Sequence, residues 1–148
     1  MDDLFALNQQ LATTLGVANK NVCNTMGQIP VCLAKLRAKG NDFEAFLENL
    51  PNEQHENTVA DTALNKEYLR FVRQTARDVV AGGFYGLIVL HVDMRLARIL
   101  AGLTNRQISE ISFRWPGLLF EAAEIVKLPV PEFHATAAIH YPAALLAA

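Results

Sequence analysis

The chain has 148 residues, 51% of them hydrophobic, and a formal net charge of −2. That is enough apolar material for a core, and it excludes a disordered charged tail or a collagen-like repeat. Two cysteines, Cys23 and Cys32, form no disulfide framework and match no standard zinc spacing, so a reduced compartment is expected.

Leu4, Leu7, Leu11 and Leu15 recur at three- and four-residue steps, which predicts a helix over residues 2–16 closed by Gly16. The acidic start "MDDLFALNQQ" lacks the basic flank of a signal peptide. A second helix is expected within 21–39, started or kinked at Pro30, carrying "VCLAKLRAK" and stopped by Gly40. The stretch "NDFEAFLENLP" predicts a third, capped by Asn41 or Asp42, with Phe43, Phe46, Leu47 and Leu50 as its apolar face. Together these make a helical N-terminal arm over 1–50. Residues 51–65, "PNEQHENTVADTALN", are polar and weakly periodic, the composition of a linker.

From Lys66 the helical pattern is strong. Tyr68, Leu69, Val72, Ala76, Val79 and Val80 form the predicted buried stripe, and Arg70, Arg73 and Arg77 form a separate one. Gly82 and Gly83 interrupt. "FYGLIVL", 84–90, suits a strand by composition, but no partner strand is evident elsewhere, so a buried helix is expected. The uncharged run between Asp78 and Asp93 is too short to span a membrane. His91 and Val92 read as a turn. Asp93 caps "MRLARILAGL", with Met94, Leu96, Ala97 and Leu100 inward and Arg95 and Arg98 outward, and Gly102 closes it. Thr104 caps "NRQISEISFRW", and Gln107, three residues on, completes a capping box. Pro116 and Gly117 stop that helix, and "LLFEAAEIVKL" predicts a further one. Residues 66–128 then form the main domain, and 129–148, with prolines at 129, 131 and 142, an extended tail. The expected fold is an all-α helical bundle with a helix-turn-helix-like pair, in a soluble cytoplasmic protein.

Charge is unevenly spread. Residues 1–65 carry four basic and eight acidic side chains, residues 66–114 eight basic and four acidic, and residues 115–148 one basic and three acidic. Seven of the eight arginines therefore lie in the only net-positive third. Arginine offers a planar fork of donors suited to phosphates and guanine edges. The helices at 94–102 and 104–114 have the outline of a helix-turn-helix, whose second helix meets bases with its N-terminal residues. Asn105, Arg106 and Gln107 occupy that position, with Arg95, Arg98 and Arg114 as candidate phosphate holders. The plainer alternative is a capped surface helix whose arginines pair with the acidic arms.

The segment from "EYLRFVRQTARD" through "RLARILAGLTNRQISEIS" resembles the FlhD subunit family of bacterial flagellar master transcriptional activators. Tyr68 and Leu69 match its first helix. Ala97, Leu100, Ala101, Leu103 and Thr104 match its Ala/Leu helix, and Gln107, Ile108, Ile111 and Ser112 the last. The match covers about residues 65–113. It implies an all-α subunit that homodimerises and binds DNA with a zinc-containing FlhC-like partner. Divergent members occur on conjugative elements and activate transfer genes. Two departures stand out: "FRWPGLLFE" lacks the family's subunit-bridging cysteine, and "LIVL" replaces its Phe-Arg pair before the turn.

No enzyme or cofactor signature accompanies this. His134 and His140 are six residues apart, not one helical turn. Glu121 and Glu124 have no basic residue in phase and suit a solvated face. "AGGFYG" matches no phosphate-binding glycine pattern. Trp115 suits a core or dimer anchor. The other function compatible with the sequence is an all-α protein-interaction module (adaptor, chaperone or anti-regulator) without nucleic-acid contact, favoured by the acidic arms and apolar tail.

Overall fold

Leucines at helical spacing produce the first helix, α1 (Asp2–Thr14), and Leu4, Leu7 and Leu11 are buried along one side. The computed structural model describes residues 2–15 and 30–124. The chain divides into two compact units, one of Met1–Lys35 with Ala122–Ala148, the other of Leu36–Glu121.

In the first unit, the buried face of α1 includes a polar residue, Asn8. Its Nδ2 donates to the Val31 carbonyl at 2.7 Å, and its Oδ1 accepts the Leu33 N–H at 2.8 Å. The side chain thus serves residues 31–33 as a strand partner would. Val31, Cys32, Leu33 and Ala34 are all fully buried, and successive residues do not share one helix face. The helix expected in 21–39 is therefore replaced, over 30–39, by bends around a short strand, β1 (Ala34–Leu36); residues 21–29 lie outside the described residues. Lys35 pairs with Glu124 at 3.3 Å. Burial pushes the Cys32 thiol up to about 12, against a smaller opposing hydrogen bond from Ala34.

The second unit opens with α2 (Gly40–Asn49), and a 3-10 turn follows at Leu50–Asn52. Gly40 begins this helix instead of ending the one before. The N-cap is Lys39, with no side-chain cap bond, and Asp42 sits in the first turn. The apolar face is as expected: Phe43 and Leu50 are buried, Phe46 and Leu47 half-buried. The long helix α3 (Val59–Val80) starts where Thr58 accepts the Asp61 N–H, so the second half of the polar stretch 51–65 is helical. Tyr68, Leu69, Val72, Ala76 and Val79 are buried, but Val80 is 54% exposed.

The remaining helices, α4 (Tyr85–Leu90), α5 (Met94–Ala101) and α6 (Asn105–Arg114), all pack on α3. Leu96, Leu100, Leu103, Ile108 and Ile111 are buried in the core, each worth about 1.5–3 kcal/mol on full burial. The segment 84–90 is helical, as expected, but buries only one side: Gly86, Val89 and Leu90. After α6 the "LLFEAAEIVKL" helix does not form over its described part. Phe120–Ala122 is instead a strand, β2, with Phe120 buried 4.9 Å from the Tyr68 ring. The two strands make a two-stranded sheet; otherwise the fold is all-α.

Candidate nucleic-acid interface

The helix pair α5–α6 is joined by Gly102, Leu103 and Thr104. Asp93 caps α5 by accepting the Leu96 N–H at 2.8 Å. Leu103, 2% exposed, anchors the turn in the core. The basic stripe of α3 holds the same turn from behind: Arg73 Nη1 donates to the Leu103 carbonyl and Arg77 Nε to the Ala101 carbonyl, each at 3.2 Å. These carbonyls lie at the negative end of α5, where a cation is favourable. Removal from water, then the like charges of Arg77 and Arg70, lowers the Arg73 pKa; a guanidinium remains cationic even so. Two arginines of the central positive region are thereby committed to the fold.

Helix α6 begins with the expected capping box. Thr104 Oγ1 accepts the Gln107 N–H at 3.1 Å, and Gln107 Oε1 accepts the Thr104 N–H at 2.9 Å. This box, worth about 1 kcal/mol for its threonine, removes Gln107 from the side chains free to read a base edge.

The six candidate residues separate into two groups. Arg95 is held by α2: Nη1 donates to Asn41 Oδ1 at 2.5 Å and Nη2 to Glu44 Oε2 at 2.6 Å. Arg114 donates to the His55 carbonyl at 3.4 Å, faces Glu56 at 3.6 Å and lies over the Phe113 ring at 4.7 Å. With Gln107, these form the engaged group. Asn105, Arg106 and Arg98 are exposed. Among the described residues Asn105 and Arg98 have no side-chain hydrogen bond. Arg106, 88% exposed, pairs only with Glu110, one turn along at 3.0 Å, a bond worth about 0.3–0.5 kcal/mol that another anion readily displaces. The first-turn N–H groups of Asn105 and Arg106 are left without intrahelical carbonyls, which adds a weak anion preference at this end.

Along its outer side α6 borders a groove of about 620 Å³, lined by Leu50, Pro51 and Glu53 from the 3-10 turn and by Arg106, Ser109, Glu110, Phe113 and Arg114. Two arginines face two carboxylates there, so the groove itself has no net positive charge. The exposed cationic surface of α6 is confined to its N-terminal end.

Two asparagines from the polar stretch 51–65 fix the other end. Asn65, fully buried, donates from Nδ2 to the Ser112 carbonyl at 3.2 Å and the Gly117 carbonyl at 2.9 Å, and accepts the Leu119 N–H at 2.8 Å. Asn57 donates to the carbonyls of Ser112 (3.0 Å), Trp115 and Gly117 (3.3 Å) and accepts the Gly117 N–H at 3.0 Å. They satisfy the carbonyls that α6 leaves open at its C-terminus. A signal existed for Asn65: it lies three, four and seven residues before Tyr68, Leu69 and Val72, in phase with the buried stripe. Trp115, half-buried, meets Phe46 edge-on at 4.8 Å. No helix among the described residues is long and apolar enough to cross a membrane. His134 and His140 lie outside the described residues. Compared with family models, curated proteins and solved structures, the chain has no match.

Proposed function

We propose that this chain is a DNA-binding transcriptional activator subunit that acts in an oligomer with a second, FlhC-like protein. One observation carries the reading. The capped N-terminus of α6 projects Asn105 and Arg106 into solvent directly after the α5–α6 turn, the placement by which the second helix of such a pair meets a major groove. Arg106 supplies a phosphate or guanine contact and Asn105 an adenine-type contact, while Arg98 positions the backbone. Arg95, Arg114 and Gln107 serve the scaffold.

The test is a mobility-shift titration, with duplex from upstream of its own coding sequence and with the co-expressed neighbouring gene product. Arg106→Ala and Asn105→Ala weaken binding by about 5- to 100-fold each. With Arg98 and Arg106 as the available arginines of the four candidates, log K falls against log salt with a slope of roughly −1.8 per subunit, against about −3.6 if all four touched phosphate. Unchanged binding by both variants at matched salt refutes the assignment.

The second reading, a protein-interaction module without nucleic-acid contact, is favoured by the exposure of Phe84, Tyr85 and Ile88. A complex that forms with the partner but shifts no DNA selects it.

A further inference from the structure

The four arginines of α5 and α6 are held in different ways. Arg95 spends both ends of its fork, Nη1 on Asn41 and Nη2 on Glu44. Arg114 spends Nη1 on the His55 carbonyl. Arg98 has no side-chain hydrogen bond among the described residues, so nothing sets the direction of its guanidinium. Arg106 is anchored at the root of the fork: Nε donates to Glu110 Oε1 at 3.0 Å, one helical turn along. Its Nη1 and Nη2 make no bond among the described residues, and the side chain is 88% exposed. The capping box of Thr104 and Gln107 fixes the helical turn that carries it.

A guanidinium is a planar fork of donors in fixed geometry. With Nε tied to a carboxylate of the same helix, the outer edge of the fork, Nη1 and Nη2, is what remains to meet a ligand. Its two parallel donors match the O6 and N7 acceptors that guanine presents in the major groove. Those acceptors are neutral, so guanine is met without displacing Glu110. A phosphate is an anion and has to approach beside the Glu110 carboxylate or push it aside. Glu53 lines the same groove as Arg106 and Glu110, which adds a second carboxylate to the field around this side chain. The local charge therefore disfavours a phosphate at Arg106 and tolerates a neutral acceptor pair, the combination of attraction and repulsion from which specificity is built.

We infer that Arg106 reads a guanine and that Glu110 is its positioning residue, holding the guanidinium by Nε so that the Nη edge faces the base. The inference rests on the DNA-binding reading above and narrows it, from a phosphate or guanine contact to guanine alone. Phosphate contact is then left to Arg98, which narrows the expected salt slope to about −0.9 per subunit.

The test uses the full chain with its co-expressed neighbour. Duplexes are selected by mobility shift from a randomised pool and sequenced, and affinities are then measured on the enriched duplex and on copies with adenine in place of each guanine. At one guanine wild type shows a preference of about 5- to 100-fold, and Arg106→Ala abolishes that preference while the slope of log K against log salt stays as it was. Glu110→Ala cuts the preference about 2- to 10-fold in the wild-type background and has no effect on it in the Arg106→Ala background, the coupling that a merely structural role would not show. Glu110→Gln keeps an acceptor for Nε and retains most of the preference. All variants keep the helical circular-dichroism spectrum. Two results overturn the inference and leave the DNA reading standing. One is an Arg106→Ala protein that binds every duplex more weakly to the same degree, with the salt slope reduced by about 0.9, which puts Arg106 on a phosphate. The other is a guanine preference indifferent to Glu110→Ala. Absence of any shift by the wild-type complex overturns the DNA reading, and this inference with it.

Discussion

Replacing Asn65 by leucine tests whether one buried amide holds the C-terminal end of α6. Leucine has the same branching but bulkier methyl ends, so no cavity opens and the loss comes mainly from hydrogen bonding, with some overpacking added at this fully buried site. The Ser112 and Gly117 carbonyls keep Asn57 as a donor, but the Leu119 N–H loses the side-chain acceptor it has at 2.8 Å. An orphaned buried donor costs about 1–3 kcal/mol, and the weakened carbonyl contacts add about 1 kcal/mol. A net loss near 2–3 kcal/mol is expected after the gain from burying leucine carbons. For a unit of this size that lowers the melting temperature by roughly 10–20 °C. The readout is urea denaturation followed by fluorescence of Trp115, the single tryptophan, which sits against Phe46 within the same unit. Asn65→Asp fares no better: it keeps the acceptor for Leu119 but sets a carboxylate against two carbonyls. A loss below about 1 kcal/mol for Asn65→Leu refutes the reasoning, because it means that the Leu119 N–H finds water or another acceptor at little cost.

Three further outcomes are expected. Gly86→Ala gains helix propensity worth about 1 kcal/mol, yet its new methyl meets Val79 Cγ2 at 2.5 Å, so urea titration finds a net loss of about 1–2 kcal/mol; a stabilised variant contradicts the close approach of α4 to α3. His91 is the one described non-glycine residue with positive φ (57°) and caps the end of α4; His91→Gly raises stability by about 0.5–1 kcal/mol, and a loss on thermal melting disproves the strain. The Cys32 thiol, raised from 9.0 to about 12 by burial, stays neutral in the folded chain while the unfolded chain ionises. Its contribution is complete below about pH 9 and is lost as pH climbs toward 12, at up to about 1.4 kcal/mol per pH unit. Urea midpoints measured between about pH 8 and 10.5 fall more steeply for wild type than for Cys32→Ala, and parallel slopes count against the shift.

The parts of the fold that depend on local patterning were legible. Leu4, Leu7 and Leu11 mark α1, the stripe from Tyr68 to Val79 marks α3, and Asp93 and Thr104 mark the starts of α5 and α6, because caps and periodic burial are decided within a few residues. What failed depended on partners distant in the chain. Residues 31–33 are not helical, and Asn8, more than twenty residues away, bonds their backbone through its amide. Phe120 joins a strand instead of a helix because β1 and Tyr68 are there to receive it. At the candidate site, residue types were legible but their commitments were not. Arg95 and Arg98 look alike in the sequence, and only the placement of Asn41 and Glu44 shows that Arg95 is already occupied. The exposed face of α4 went unread for the same reason: "FYGLIVL" is apolar on every side, and which side meets α3 depends on the close approach at Gly86.

The discontinuous first unit has a consequence for the order of folding during synthesis. Residues 36–121 close on themselves, with the Arg37 N–H bonded to the Leu119 carbonyl at 3.0 Å. The other unit joins segments on either side of it, and its Ala123 N–H reaches the Leu33 carbonyl at 2.9 Å. At 5–20 residues per second the intervening segment takes roughly 4–17 s to emerge from the ribosome. During that interval Val31 to Ala34 lack the Ala123 contact, and the burden of keeping that apolar run from premature association falls on α1, through the two bonds of Asn8.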